Sequence, residues 1–137
     1  MKKISLFFIF QAVLSFAQDF KTPFEKGNGN QTTTYEEMIK FYALLDQKFQ
    51  NISVVSKGKD DNGEPIRVVV FNASKDKNAP VILINNGIHP GEPDGIDATM
   101  MLMRDLAIGK LKLPSNIQIA AIQCYDISGM ITRGKYS

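Results

Sequence analysis

One stretch of the sequence decides the fold: residues 81–95, VILINNGIHPGEPDG. It begins with four consecutive apolar residues, which are typical of a strand that is buried on both faces of a sheet. Residues 94–106 then carry apolar side chains at helical spacing, and residues 117–125 again have the composition of a strand. A strand, a helix and a strand joined by short connections predict a βαβ unit with a right-handed crossover.

The segment before this unit predicts a helix and a β-hairpin. Thr34 and Glu37 form a capping-box pattern, and the apolar residues that follow have helical spacing, so we expect a helix over residues 35–49. Residues 54–55 and 66–71 are rich in β-formers and flank an acidic, Gly-containing turn, which predicts an antiparallel hairpin. The predicted fold class is therefore α/β with a mixed sheet: a helix, a β-hairpin and then a βαβ unit.

The first 17 residues have the three parts of a signal peptide. Lys2 and Lys3 precede an apolar run, and small residues stand at Ser15 and Ala17. The run is shorter than the roughly 20 residues of a membrane span, so we expect export to the periplasm or the outside of the cell, cleavage before Gln18 and no membrane association afterwards. An N-terminal anchor is the alternative. Residues 18–33, rich in Gly and Asn, are expected to be an extended lead-in.

Composition excludes several classes of protein. Without Lys2 and Lys3 the basic and acidic residues are equal in number, 14 of each, so no basic surface is left for nucleic acid. The chain is 44% hydrophobic, which is enough for a globular core. A single Cys, Cys124, excludes a disulfide within the chain, and we expect it to be a buried apolar residue.

The loop after the apolar run contains the only His of the chain. His89 and Glu92 are three residues apart on a segment stiffened by Pro90 and Pro93, where they can converge on one cation. Zinc accepts both ligand types at about 2.0–2.2 Å. A surface pair, or a His that is simply hydrogen-bonded, is the alternative. Asp94 is expected to cap the following helix.

Residues 82–98 and 101–106 resemble the first metal-binding segment of the zinc carboxypeptidases of the carboxypeptidase A type. In that family a strand leads into a Gly-x-His-x-x-Glu loop that supplies two of three protein zinc ligands, and His89 and Glu92 stand at those positions. The resemblance implies that residues 34–137 form the N-terminal part of such a domain, with zinc as cofactor and the C-termini of peptides or proteins as substrates. Arg133 lies near the point where substrate-binding Arg residues begin, although a solvated Arg is an equal alternative.

The resemblance also implies metal-binding and catalytic residues that this sequence does not supply. The family uses a second His ligand and a catalytic Glu further along its chain, so we expect this chain to be a truncated and inactive form, with residues 117–125 as a central strand left with an exposed edge. Two other functions stay open. One is a zinc deacylase of the aspartoacylase or desuccinylase type, and the other is a non-catalytic exported module or remnant.

Overall fold

The computed structural model describes residues 20–74, 76, 78–89 and 91–132. The predicted signal peptide and Arg133 lie outside these residues. The described elements, in chain order, are α1 (Pro23–Lys26), α2 (Tyr35–Lys48), β1 (Ile52–Lys59), β2 (Pro65–Asn72), β3 (Val81–Asn85), α3 (Asp94–Ala107), β4 (Gln118–Ile122) and α4 (Ile127–Thr132).

The strands form one mixed sheet in the order β1-β2-β4-β3. β2 is antiparallel to both β1 and β4, and β3 is parallel to β4. The predicted hairpin, the parallel strand pair of the βαβ unit and the α/β class are all confirmed. Because β3 and β4 run the same way, the loops that leave their carboxyl ends lie side by side.

Helix α2 begins where the capping box predicted. The Thr34 side chain accepts a hydrogen bond from the main-chain N–H of Glu37, and the Glu37 carboxylate accepts one from the main-chain N–H of Thr34. The helix ends one residue before the predicted Phe49, whose N–H still bonds to the carbonyl of Leu45. Its buried face joins α3 and the inner strands in one core, which includes Met38, Tyr42, Leu45, Val69, Met100, Met103, Leu106, Ile119 and Ala121.

Helix α3 begins differently from the prediction. Its N-cap is Pro93, and no side chain of the described residues caps it, so the assignment of Asp94 as the cap is wrong. Asp94 is exposed in the first turn, where a carboxylate still interacts favourably with the helix dipole. Asp97 is 5% exposed and accepts hydrogen bonds from Thr32 Oγ1 at 2.6 Å and from the main-chain nitrogen of Thr33 at 3.1 Å. These two bonds fasten the lead-in to the start of α3.

The lead-in differs from the extended segment that the sequence predicts, because it contains α1. Thr22 and Glu25 form a second capping box, and Pro23 occupies the first helical position, where its missing N–H costs nothing. Arg104 of α3 donates hydrogen bonds to Glu25 and to the carbonyl oxygen of Phe20. The described part of the lead-in is therefore attached to α3 at both of its ends.

Strand β3 is not buried on both faces, and that prediction is wrong. Val81, Ile82 and Leu83 are 54%, 50% and 63% exposed. Among the described strands β3 pairs only with β4, whereas β4 lies between β2 and β3. The exposed edge that was expected on residues 117–125 is thus found on β3, because β4 has a partner on each side.

None of the described helices has the length and apolar character that a membrane span needs.

Candidate metal site

The candidate site lies where β3 and β4 end together. Asn85 and Ile122 are register partners at the carboxyl ends of the two parallel strands. Beyond them the two loops are joined by main-chain hydrogen bonds: Tyr125 donates to the carbonyl of Asn86 at 2.8 Å, and Asp126 donates to the carbonyl of Gly87 at 2.8 Å. The loop after β3 is therefore held against the loop after β4 before it reaches His89.

His89 and Glu92 face each other across a tight turn. The main-chain nitrogen of Glu92 donates to the carbonyl of His89 at 3.2 Å, and the side-chain atoms His89 Nδ1 and Glu92 Oε2 are 3.1 Å apart. The two side chains are 64% and 70% exposed. The structure thus brings together the two residues that the sequence singled out, and both side chains are largely exposed to solvent.

The separation of these two side-chain atoms is close to the one that a shared zinc ion needs. Two ligands at about 2.0–2.2 Å from a tetrahedral zinc lie about 3.3–3.6 Å from each other, slightly farther apart than the 3.1 Å between His89 Nδ1 and Glu92 Oε2. A neutral imidazole that donates to the carboxylate would give a similar distance. In the described part of the chain, no group of three or more His, Cys, Asp or Glu residues gathers as a metal site.

A cavity of about 190 Å³ lies beside the pair, which forms part of its lining. The lead-in contributes Thr33, α3 contributes Ile96, and the loop after β4 contributes Cys124. A second, larger cavity of about 490 Å³ is lined by the acidic hairpin turn between β1 and β2 and by the start of α4. Asp126 lines both cavities, whereas His89 and Glu92 line the smaller one.

Two ionisable residues in the lining of the smaller cavity, Cys124 and Asp126, have structural roles. Cys124 is 2% exposed, and burial, together with the charge of Asp126, raises the pKa of its thiol to about 12. The thiol is therefore protonated at neutral pH, and the prediction of a buried apolar Cys is confirmed. Asp126 Oδ1 accepts a hydrogen bond from the main-chain nitrogen of Gly129 at 2.8 Å, which satisfies a free amide at the start of α4.

Sequence reasoning missed Asn86, the residue that joins β3 to this loop. Asn86 is 5% exposed, and its side chain bonds to the carbonyl of Ile122 and to the hydroxyl of Thr99. An Asn followed by Gly at a strand end is typical of a turn, which hides any other role. Its partner Thr99 occupies an ordinary inward position of α3, and nothing in the sequence marks that contact.

Comparison with known proteins gives a fold and no sequence family. No protein-family model and no curated protein sequence matches the chain. Among solved structures, carboxypeptidase A from Helicoverpa armigera is similar over 76% of this chain, with a TM-score of 0.66 and 23% identity. Bovine thrombin-activatable fibrinolysis inhibitor, solved in complex with tick carboxypeptidase inhibitor, matches over 77% with a TM-score of 0.66 and 16% identity. A metallo-carboxypeptidase from Burkholderia cenocepacia matches over 75% with a TM-score of 0.65 and 18% identity.

The match is one-sided in length. The chain covers 28%, 35% and 29% of those three structures, respectively. At these identities the likeness shows that the chain shares its α/β fold with part of the carboxypeptidase domain.

Proposed function

We propose that this chain carries the His–Glu part of the zinc site of an exported metallocarboxypeptidase, which hydrolyses peptide bonds at the C-termini of peptides or proteins. The observation that carries the proposal is the 3.1 Å approach of His89 Nδ1 and Glu92 Oε2 on the loop after β3. The fold shared with solved metallo-carboxypeptidases supports it. The signal-peptide pattern of residues 1–17 supports export.

His89 and Glu92 would hold the metal beside the smaller cavity that they line. Zinc in such a site polarises a carbonyl group and lowers the pKa of a bound water. His89 would supply an imidazole nitrogen to the ion, and Glu92 would supply a carboxylate oxygen that offsets part of its charge. The third protein ligand, the general base and the groups that hold the substrate carboxylate, with Arg133 as one candidate, would complete the site.

Zinc titration by calorimetry tests the metal site directly. We expect His89→Ala and Glu92→Ala each to weaken zinc binding by about tenfold or more, because the loss of even an outer partner of a metal ligand costs that much. One remaining side chain with water ligands binds zinc little better than any surface His does.

Glu64→Ala is the matched control for this titration. Glu64 is an exposed carboxylate at the hairpin turn, outside the loop, and its removal should leave zinc affinity unchanged. Equal weakening in all three variants would indicate unfolding, and unchanged binding in His89→Ala would contradict the proposed site.

Peptidase activity is expected to be absent from the 137-residue chain on its own. The chain contains one His, so it cannot supply two His ligands to one ion. A zinc ion with fewer protein ligands and no positioned base activates water poorly. Release of C-terminal amino acids from model peptides should match a chelator-treated blank. Robust release that a chelator abolishes would contradict this expectation.

A further inference from the structure

We infer that Asn86 is the positioning residue of the His89–Glu92 pair and that Thr99 holds Asn86 in place; the inference rests on the proposed zinc site. Asn86 directly follows β3, and its side chain is enclosed. Its Nδ2 donates to the carbonyl of Ile122 at 3.2 Å, and its Oδ1 accepts from Thr99 Oγ1 at 3.2 Å. Asn86 and Thr99 are 5% and 4% exposed, so both bonds are shielded from water.

The main chain of Asn86 makes two more hydrogen bonds, to the end of β4 and to the loop that follows it. Its N–H donates to the carbonyl of Ile122 at 3.3 Å, and its carbonyl accepts from the N–H of Tyr125 at 2.8 Å. One residue therefore joins the end of β3, the end of β4 and the side of α3. Buried polar groups that are all paired in this way specify one local geometry.

The Asn86–Thr99 bond closes residues 86–99 into a loop, and both proposed ligands lie inside it. Holding the two ends of a loop together removes much of the conformational freedom of the residues between them. His89 and Glu92 then need little further ordering to place both donor atoms on one ion. Preorganisation of this kind raises affinity without a new contact to the ligand.

Gly95 shows that the packing accommodates Asn86. A Cβ at Gly95 would lie 3.1 Å from Asn86 Oδ1, which is closer than ordinary van der Waals contact. The missing side chain leaves room for the amide where α3 begins. The bonds to Thr99 and to the carbonyl of Ile122 together fix which way the amide oxygen points.

The experiment uses the full 137-residue chain and two measurements. Thr99→Val keeps the side-chain shape and removes the donor to Asn86 Oδ1, and Asn86→Ala removes both side-chain bonds. In the metal-free chain we expect the amides of Glu92, Tyr125 and Asp126 to exchange with solvent about tenfold faster or more, while the amides of the β1–β2 hairpin keep their rates. Zinc affinity should fall by about two- to tenfold, because the ligand side chains must then be ordered when the metal binds.

Two further variants separate positioning from general stability. Thr99→Ser keeps the hydroxyl, so its loop amide exchange rates and its zinc affinity should match those of the parent chain. Asn51→Ala is the matched control: Asn51 Nδ2 also donates to a main-chain carbonyl, that of Ala107, at 3.4 Å, but at the opposite end of the sheet. Asn51→Ala should therefore leave zinc affinity and the exchange rates of the loop amides unchanged from those of the parent chain.

The exchange measurement decides the inference even without metal. The exchange rates of the loop amides are compared at equal global stability. If Thr99→Val and Asn86→Ala change these rates no more than Asn51→Ala does, Asn86 is a structural residue only and the inference is overturned. If the parent chain binds zinc no better than His89→Ala does, the proposed zinc site fails. The exchange rates then still show whether Asn86 orders the loop.

Discussion

Replacing Arg104 with Met is expected to lower the free energy of unfolding by about 3 kcal/mol. The Arg104 side chain is 9% exposed and lies between two carboxylates. Its Nε donates to Asp105 Oδ1 at 2.7 Å, and its Nη1 donates to Glu25 and to the carbonyl of Phe20. Without the guanidinium, Glu25 and Asp105 each lose a charged partner, and the lead-in loses two attachments to α3. Breaking one side of a buried charge cluster costs more than the cluster contributes in total, because the remaining charges stay desolvated.

Urea unfolding followed by far-ultraviolet circular dichroism measures this loss, since the chain contains no Trp for fluorescence. Lys110→Met is the matched control. Lys110 Nζ lies 2.8 Å from Asp105 Oδ2, but its side chain is 64% exposed. Exposed ion pairs contribute about 1 kcal/mol or less, so Lys110→Met should change little. Similar losses in the two variants would contradict a special role for the buried guanidinium.

The acid dependence of stability gives an independent check on the same cluster. Burial alone would raise the pKa of Glu25 above 4.5, but hydrogen bonds from Arg104 and Thr22 outweigh it and hold that pKa below its ordinary value. Burial likewise opposes ionisation of Asp105, yet hydrogen bonds from Lys110 and Arg104 hold its pKa below 3.8. Because both values are lower in the folded chain, their contribution to stability is complete above the ordinary values and is lost as the pH falls below them. We expect acid to destabilise Arg104→Met less than it does the parent chain.

The sequence predicts those parts of the fold whose causes are local. The box of Thr34 and Glu37 fixes the start of α2 through two bonds between residues three apart, and the structure forms both. The hairpin and α3 follow from residue spacing in the same way. The pairing of β3 with β4 in parallel follows from the order of strand, helix and strand.

The wrong predictions concern features that depend on contacts between distant parts of the chain. Four apolar residues in β3 show that the strand can be buried, but its burial depends on which elements cover it, and Leu83 is 63% exposed. The contacts of Asp97 with Thr32 and Thr33 join residues 65 and 64 positions apart, and such contacts leave no periodic signal in a sequence. The candidate site divides in the same way. The spacing of His89 and Glu92 predicts their approach, whereas the contact between Asn86 and Thr99 depends on where the whole fold places α3 relative to the residue that follows β3.

Gly87→Ala is the second substitution with a large expected effect, a loss of about 3 kcal/mol in the free energy of unfolding. Gly87 has φ of 61°, in the left-handed region that residues with a Cβ rarely adopt. A Cβ there would also lie 2.8 Å from Cys124 Sγ and 3.1 Å from Ile96 Cδ1. Both neighbours are buried, at 2% and 3% exposure, so neither can move aside freely. The backbone strain and the overlap each cost about 1–3 kcal/mol.

Gly109→Ala separates these two costs. Gly109 has φ of 76°, and apart from its own chain neighbours no atom of the described residues lies within 4 Å of the position that a methyl group would take there. Its substitution therefore carries the backbone cost alone, about 1 kcal/mol.

Cys124→Ala should relieve part of the overlap, so the double variant with Gly87→Ala should lose less stability than the sum of the two single losses. Unfolding of all four variants in urea tests both statements. Equal losses for Gly87→Ala and Gly109→Ala would show that the loop after β3 is not packed against Cys124, and the close support of the His89 loop would then have to be abandoned.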